Sequence, residues 1–199
     1  MLRNNFSVLI AERQLKITRV AGDTGISRTT LTSLSSNSSK MVQLETVNKL
    51  CQYLKINPSD FFEYVSFDFE YYFDDSELIN DFSPFNGMQE QPPVYDATLL
   101  IYVTENGNRV DTIELQGYSE DEGSISSSSR MVGISLYLKD EKELVKLHKY
   151  TDKLSVAFIS DIKQDIEKHI SSGLDDSVYV DLLIDFDKTK YSSKNDNKN

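Results

Sequence analysis

Cysteine is almost missing. Cys51 is the only one in 199 residues, so no disulfide can form within the chain. It sits in Leu50-Cys51-Gln52-Tyr53-Leu54 and reads as a small buried hydrophobe on the inner side of a helix. A redox switch or a metal site would need partner ligands, and the neighbouring sequence offers none. Long apolar runs are also missing: nothing approaches the roughly 20 residues that a spanning helix needs. The opening MLRNNFSVLIAER lacks a secretory apolar region. A soluble, cytoplasmic protein with no membrane partner is expected. No nucleophile–base pair, glycine-rich phosphate loop or metal cluster occurs. The two histidines, His148 and His169, stand alone on predicted helices and read as ordinary surface or half-buried side chains. Hence no catalytic residue, no metal ligand and no cofactor is assigned, and the chain is not expected to be an enzyme.

Basic residues are absent from one long stretch. Residues 56–108 contain no Lys or Arg but eleven Asp or Glu. The net charge of −11 is therefore unevenly placed. Residues 1–64 hold eight basic and five acidic residues, for +3; the remainder holds thirteen and twenty-seven, for −14. Only the first part is suited to meet phosphate.

That first part is organised around residues 17–34, ITRVAGDTGISRTTLTSL. It reads as two short helices about a turn at Gly25, which can close a helix in the left-handed conformation. Ala21 is small enough to let a second helix pass closely. Ser27 is a good N-cap, and Leu31 and Leu34 face inward. The outer side carries Arg28, Thr29, Thr32 and Ser33, a short polar face with one strong cationic donor. This describes a helix-turn-helix with its recognition helix.

The resemblance is to Cro/cI-type repressors, the xenobiotic-response-element family, and covers about the first third of the chain. It rests on Ala21, Gly25-Ile26-Ser27-Arg28, Thr30-Leu31, Leu34, Leu44-Glu45-Thr46, Leu50, Leu54 and Ile56-Asn57-Pro58-Ser59-Asp60-Phe61-Phe62. Three positions depart from the pattern. Gly22 lies mid-helix, at about 1 kcal/mol against Ala. Asn37 stands where such repressors often carry glycine, and Ile17 where many carry a phosphate-contacting residue. The resemblance implies base contacts from Ser27, Arg28, Thr29, Thr32 and Ser33, and phosphate contacts from Arg13, Lys16, Arg19, Asn37 and Lys40. Many such repressors carry a self-cleaving serine–lysine domain. No corresponding motif occurs here, since the only Ala-Gly is Ala21-Gly22 inside a predicted helix.

Five short helices are expected in an all-α domain over 1–65, the fourth with Leu44, Val47, Leu50, Cys51 and Leu54 on its inner face. The period then changes. Phe67, Phe69, Tyr71 and Phe73 alternate with mainly acidic residues, which predicts a strand. That acidic-aromatic stretch is read as an ordinary half-buried strand, with a DNA mimic or a partner-docking strand as the sharper option. Residues 75–96 read as an irregular connection, with one helical turn near Leu78. Asn106-Gly107 signals a hairpin whose two-residue turn would pair Val103 with Val110 and Leu100 with Ile113. Both hairpin faces carry apolar groups. Residues 119–130 read as a mobile acidic-serine loop, and 131–138 as a strand.

Asp140 and Glu143 suggest a helix cap, opening a helix that runs to about Tyr150. Leu154, Phe158, Ile162, Ile166 and Ile170 predict a second helix closed by Gly173, although 154–159 also suits a strand. Residues 178–186 complete the strands. An α+β domain with a mainly antiparallel sheet is expected over 66–187, then a disordered tail over 188–199.

The expected function is a sequence-specific DNA-binding transcriptional regulator, of phage or mobile-element repressor type. It would bind a palindromic double-stranded DNA operator as a homodimer joined through the C-terminal domain, with a protein antagonist as a further partner. The alternative is a protein-interaction module: an antitoxin, or an antirepressor whose acidic domain imitates DNA.

Overall fold

The computed structural model describes residues 1–39, 41–80, 93–175 and 177–189, excepting the side chains of 77–80 and 188. The chain divides into two compact units, Met1–Ser66 and Phe67–Asn199.

The first unit contains β1 (Leu2–Asn4), α1 (Phe6–Glu12), α2 (Ile17–Thr24), α3 (Arg28–Ser35), α4 (Leu44–Leu54), α5 (Pro58–Phe61) and β2 (Phe62–Tyr64). The expectation of five helices needs correcting. Four are full helices; α5 is a single turn of four residues, with the Asp60 carboxylate accepting the Asn57 N–H at 3.0 Å. Two short strands complete the unit. β1 and β2 pair antiparallel, with Arg3 opposite Glu63, and these two side chains approach to 3.6 Å. The core gathers inward positions of every helix: Phe6, Val20, Leu31, Leu50 and Phe61 are fully buried. Ala21 packs against this cluster, where a larger side chain would push α2 outward. Leu44 departs from its expected inward place. It is 85% exposed, because at the first position of α4 it precedes the turn that Val47 anchors.

The second unit is a five-stranded sheet in the order β3-β4-β5-β6-β7. Its strands are β3 (Asp68–Asn80), β4 (Val94–Glu105), β5 (Asn108–Ser126), β6 (Ser129–Leu138) and β7 (Val178–Thr189). The first four form an antiparallel meander. β7 returns parallel to β6 after α6 (Glu141–Thr151) and α7 (Val156–Ser172). The sheet is thus mainly antiparallel, with one parallel pair. Leu99, Ile101, Ile113, Leu115, Leu136 and Leu138 form one buried face, against which α6 places Leu147 and α7 places Phe158, Ile162 and Ile166. The alternative strand over 154–159 is not formed: Ser155 caps α7 by accepting the Phe158 N–H at 3.2 Å. Asp140 caps α6 through the N–H groups of Lys142 and Glu143. On the outer edge of β7, the Lys163 ammonium reaches back from α7 to the Ile184 carbonyl at 3.2 Å and lies 4.9 Å from the Phe186 ring centroid.

Three further expectations change. The Asn106-Gly107 turn forms, with φ of 51° and 77°. The register past it shifts: Val103 faces Asp111 and Leu100 faces Glu114, because a bulge at Val110 adds one residue between the Thr104–Arg109 and Val103–Asp111 pairs. The acidic-serine stretch is not a loop. β5 continues to Ser126 and β6 starts at Ser129, so backbone pairing carries a sequence with little side-chain signal. Residues 75–80 extend β3 past two register irregularities instead of forming an irregular connection or a helical turn. At the far end of that connection Val94–Asp96 already belong to β4, and the expected tail over 188–199 starts too early, since β7 runs through Thr189; residues 81–92 and 190–199 lie outside the described residues.

Candidate nucleic-acid interface

Gly25 ends α2 at φ 70°, and its N–H donates to the Ala21 carbonyl at 3.0 Å. The chain turns there and Ile26 is buried. Ser27 then caps α3, its hydroxyl accepting the Thr30 N–H at 3.1 Å. The Ser27 and Thr30 hydroxyls also lie 2.8 Å apart. Ser27 therefore holds the helix start, while its side chain remains at the surface. Successive helical residues rotate by about 100°. Leu31 and Leu34 point into the core, so Thr29, Thr32 and Ser33 fall on the opposite arc with Arg28 at its flank. Arg28, Thr29 and Thr32 are exposed and Ser33 is half-buried. Arg28 has no ion-pair partner among the described residues. A guanidinium free to extend from a helix start can fork onto two acceptors of one guanine edge. Threonine hydroxyls and methyls suit either polar edges or thymine methyls.

The candidate phosphate ligands are less uniform. Lys16 is exposed at the N-cap position of α2, with its ammonium unengaged among the described residues. Arg19 is 72% exposed and 3.6 Å from Asp23. Asp23 also accepts the Tyr53 hydroxyl at 2.7 Å, which ties α4 to α2 and raises the Tyr53 pKa. Arg13 folds back on its own helix, donating to the Leu9 carbonyl at 3.0 Å and standing 3.6 Å from Glu12. Ile17 packs against the core and leaves its phosphate position empty, as its side chain requires. Lys40 lies outside the described residues.

Asn37 has a different job from the one expected of it. It adopts the left-handed region at φ 48°, which suits the glycine often found there. Its amide oxygen accepts the Asn4 N–H at 2.9 Å and the Asn4 side chain at 2.6 Å; its amide nitrogen donates to the Asn4 carbonyl at 3.1 Å. Asn4 in turn donates to the Leu34 carbonyl at 3.0 Å. Both ends of the Asn37 amide are thus committed to fastening β1 onto the end of the recognition helix. No local sequence pattern marks Asn4, because the two asparagines are 33 residues apart.

In the second unit, several titratable groups join elements of the fold. Buried Glu143 accepts the Glu114 N–H at 2.9 Å and pairs with Lys146 at 2.7 Å. His148 lies 3.8 Å from Asp152 and 3.9 Å from Asp187. The ring of exposed His169 lies 5.9 Å from that of Tyr71. No group of three potential metal ligands occurs among the described residues. None of their helices is long and apolar enough to cross a membrane.

A capped helix with a polar, cationic outer face, joined by a glycine turn to a helix that Val20 anchors in the core, defines the helix-turn-helix class of DNA-binding domains. Residues 5–66 match the family of Cro/C1-type HTH DNA-binding domains. The uncharacterized HTH-type transcriptional regulator YozG of Bacillus subtilis (strain 168) is 31% identical over 62 residues, spanning 31% of this chain and 74% of that protein. Through its first unit, the chain belongs to this Cro/C1-type helix-turn-helix family. A solved structure from Bacteroides fragilis, described as a DNA-binding protein, is 27% identical; the match covers 32% of this chain and 100% of that one, with a TM-score of 0.30.

Proposed function

We propose that the protein is a sequence-specific transcriptional repressor of phage or mobile-element type, which reads a palindromic operator as a dimer. The observation that carries this reading is the outer face of α3, where exposed Arg28, Thr29 and Thr32 stand together without competing side-chain partners among the described residues. Base edges would be met by Arg28, Thr29, Thr32 and Ser33, with Ser27 holding the helix start. Backbone phosphates would be met by Lys16 and Arg19, joined by Lys40 and, after release from Leu9, by Arg13.

One such domain covers one half-site, and half-sites recur about 34 Å apart on one face of the duplex. Joining two heads makes the second contact intramolecular and raises affinity by roughly 10² to 10⁴-fold. We assign that junction to the second unit. The strand faces at 132–138 and 178–186 do not offer it: Ile134, Leu136, Leu138, Ile184 and Phe186 are buried within the unit's own core. The contact therefore uses another surface of the same unit.

Selection of bound sequences from a random duplex pool tests the reading. A single short palindrome, bound with steep salt dependence, is expected. No enrichment from a folded chain would refute it and favour the interaction-module alternative, for which the −14 charge of residues 65–199 is the motivating feature. Sedimentation of the full chain tests the dimer; a monomer that binds the palindrome with full affinity would rule it out.

A further inference from the structure

Among the described elements, α6 and α7 cover one face of the sheet, and no element of that unit packs on the other. Cross-strand register aligns the open face into rows. One row runs through Tyr118, Ser135 and Leu183 on three neighbouring strands. The next row on one side ends in Asp74 and Asp185; the next on the other carries Glu120 and Asp181. Tyr118 is 40% exposed and Leu183 55%; Tyr72 on β3, 52% exposed, lies on the same face two rows away, beyond the Asp74–Asp185 row. Tyr118 and Leu183 thus stand as apolar anchors between two carboxylate-bearing rows, with Asp96 beside Tyr118 in their own row.

The charge on this face is one-sided. Glu70, Asp74, Glu120, Asp181 and Asp185 form no ion pair among the described residues. Lys139 is already held by Glu114 at 2.8 Å. Arg109 lies over Tyr102 of the same face, its guanidinium carbon 3.3 Å from the ring centroid.

Solvation of an outer sheet face needs polar side chains; it does not need large apolar groups in the middle. Apolar anchors ringed by charge are the anatomy of a protein interface. The sign of the charge then selects the occupant. Duplex DNA and anionic membrane are repelled. A second copy meeting face to face would set carboxylate against carboxylate, which costs affinity. We propose that the open face of the β3–β7 sheet docks a cationic segment of another protein. Arginine or lysine stems would lie on the tyrosine rings, as Arg109 does on Tyr102, with the head groups at the flanking carboxylates. This surface is independent of the operator reading, which the variants below leave intact.

The test uses the full chain and, as probe, a short synthetic peptide alternating arginine with leucine, at physiological ionic strength. Binding is followed by fluorescence anisotropy. Tyr118→Ala with Leu183→Ser, and separately Asp181→Asn with Asp185→Asn, should each weaken it at least about tenfold. Melting temperature and operator binding should stay unchanged. Absence of peptide binding would overturn the proposal. Loss in the carboxylate variant alone would do so too, because that marks simple ion attraction. So would a dimer-to-monomer change in either variant, which would give the face to a second copy.

Discussion

Replacing Asn37 separates two forces that oppose each other at one residue. The left-handed conformation costs an ordinary L residue about 1–2 kcal/mol, and asparagine somewhat less. Against this stand three hydrogen bonds to Asn4, at 2.9, 2.6 and 3.1 Å. Each contributes about 1 kcal/mol net, and a buried N–H left unpaired costs about 1–3 kcal/mol. Asn4 is only 7% exposed, so water cannot fully replace the lost partners. Asn37→Gly removes both the strain and the bonds, and we expect a net loss of about 2 kcal/mol from these figures. Asn37→Ala removes the bonds and keeps the strain, for about 3 kcal/mol. A domain of this size loses about 4–8 °C of melting temperature per kcal/mol. The assay is thermal unfolding of residues 1–66 by far-ultraviolet circular dichroism, with the order wild type, glycine, alanine from highest to lowest. A glycine variant that melts at or above the parent refutes the clamp and makes Asn37 a mere stand-in for glycine. The salt slope of DNA binding should be unchanged in either variant; a smaller slope would restore Asn37 to the phosphate ligands.

Four further outcomes are expected. Arg28→Ala should weaken operator binding by about 1–3 kcal/mol and relax preference at one base pair, as bind-and-sequence profiles would show; an unchanged profile from a folded variant removes Arg28 from base reading. Substituting Lys16 or Arg19 should lower the slope of log affinity against log salt by about 1 each, and unaltered slopes would place the DNA face elsewhere. Gly22→Ala should stabilise the first unit by about 0.5–1 kcal/mol, since the site is helical and a Cβ there meets nothing within 4 Å; a lower melting temperature would contradict this. The Lys142 and Glu143 N–H groups hold the Asp140 carboxyl below its ordinary pKa, with the Glu143 bond first. A depressed folded value means that the cap's contribution is complete above the unfolded value, about 3.9, and is lost as pH falls through the folded one. Asp140→Asn should therefore flatten the acid limb of the second unit's stability, and an identical limb would falsify the linkage.

The legible parts of the chain were those whose signals are local. The Gly25 turn, the Ser27 cap and the Leu31–Leu34 spacing lie within ten residues of one another, and all form. The four-residue repeat of α7 and the alternation of β6 and β7 likewise declare themselves within one element. The parts that were missed depend on distant partners. β1 and β2 are three residues each and about sixty apart, too short to show a period. The 119–126 part of β5 is polar and serine-rich; it is a strand because β4 and β6 flank it in register. The Val110 bulge alters the pairing without altering the turn sequence. In the recognition helix the outward residues are legible, but the engagement of Asn37 by Asn4 and of Arg13 by Leu9 depends on side-chain placement that no local pattern marks.

Lys163 has a bearing on colloidal behaviour. β7 ends the sheet, and a terminal strand offers its outer carbonyls and amides as a template for strands of other molecules. The ammonium on the Ile184 carbonyl interrupts that template midway along the strand and leaves a positive charge on it. An incoming strand would have to displace the ammonium and bury or expel its charge before a continuous ladder could form. Amyloid-type stacking along this edge is thereby opposed by a single side chain donated from the covering helix, without any proline or shortening of the strand.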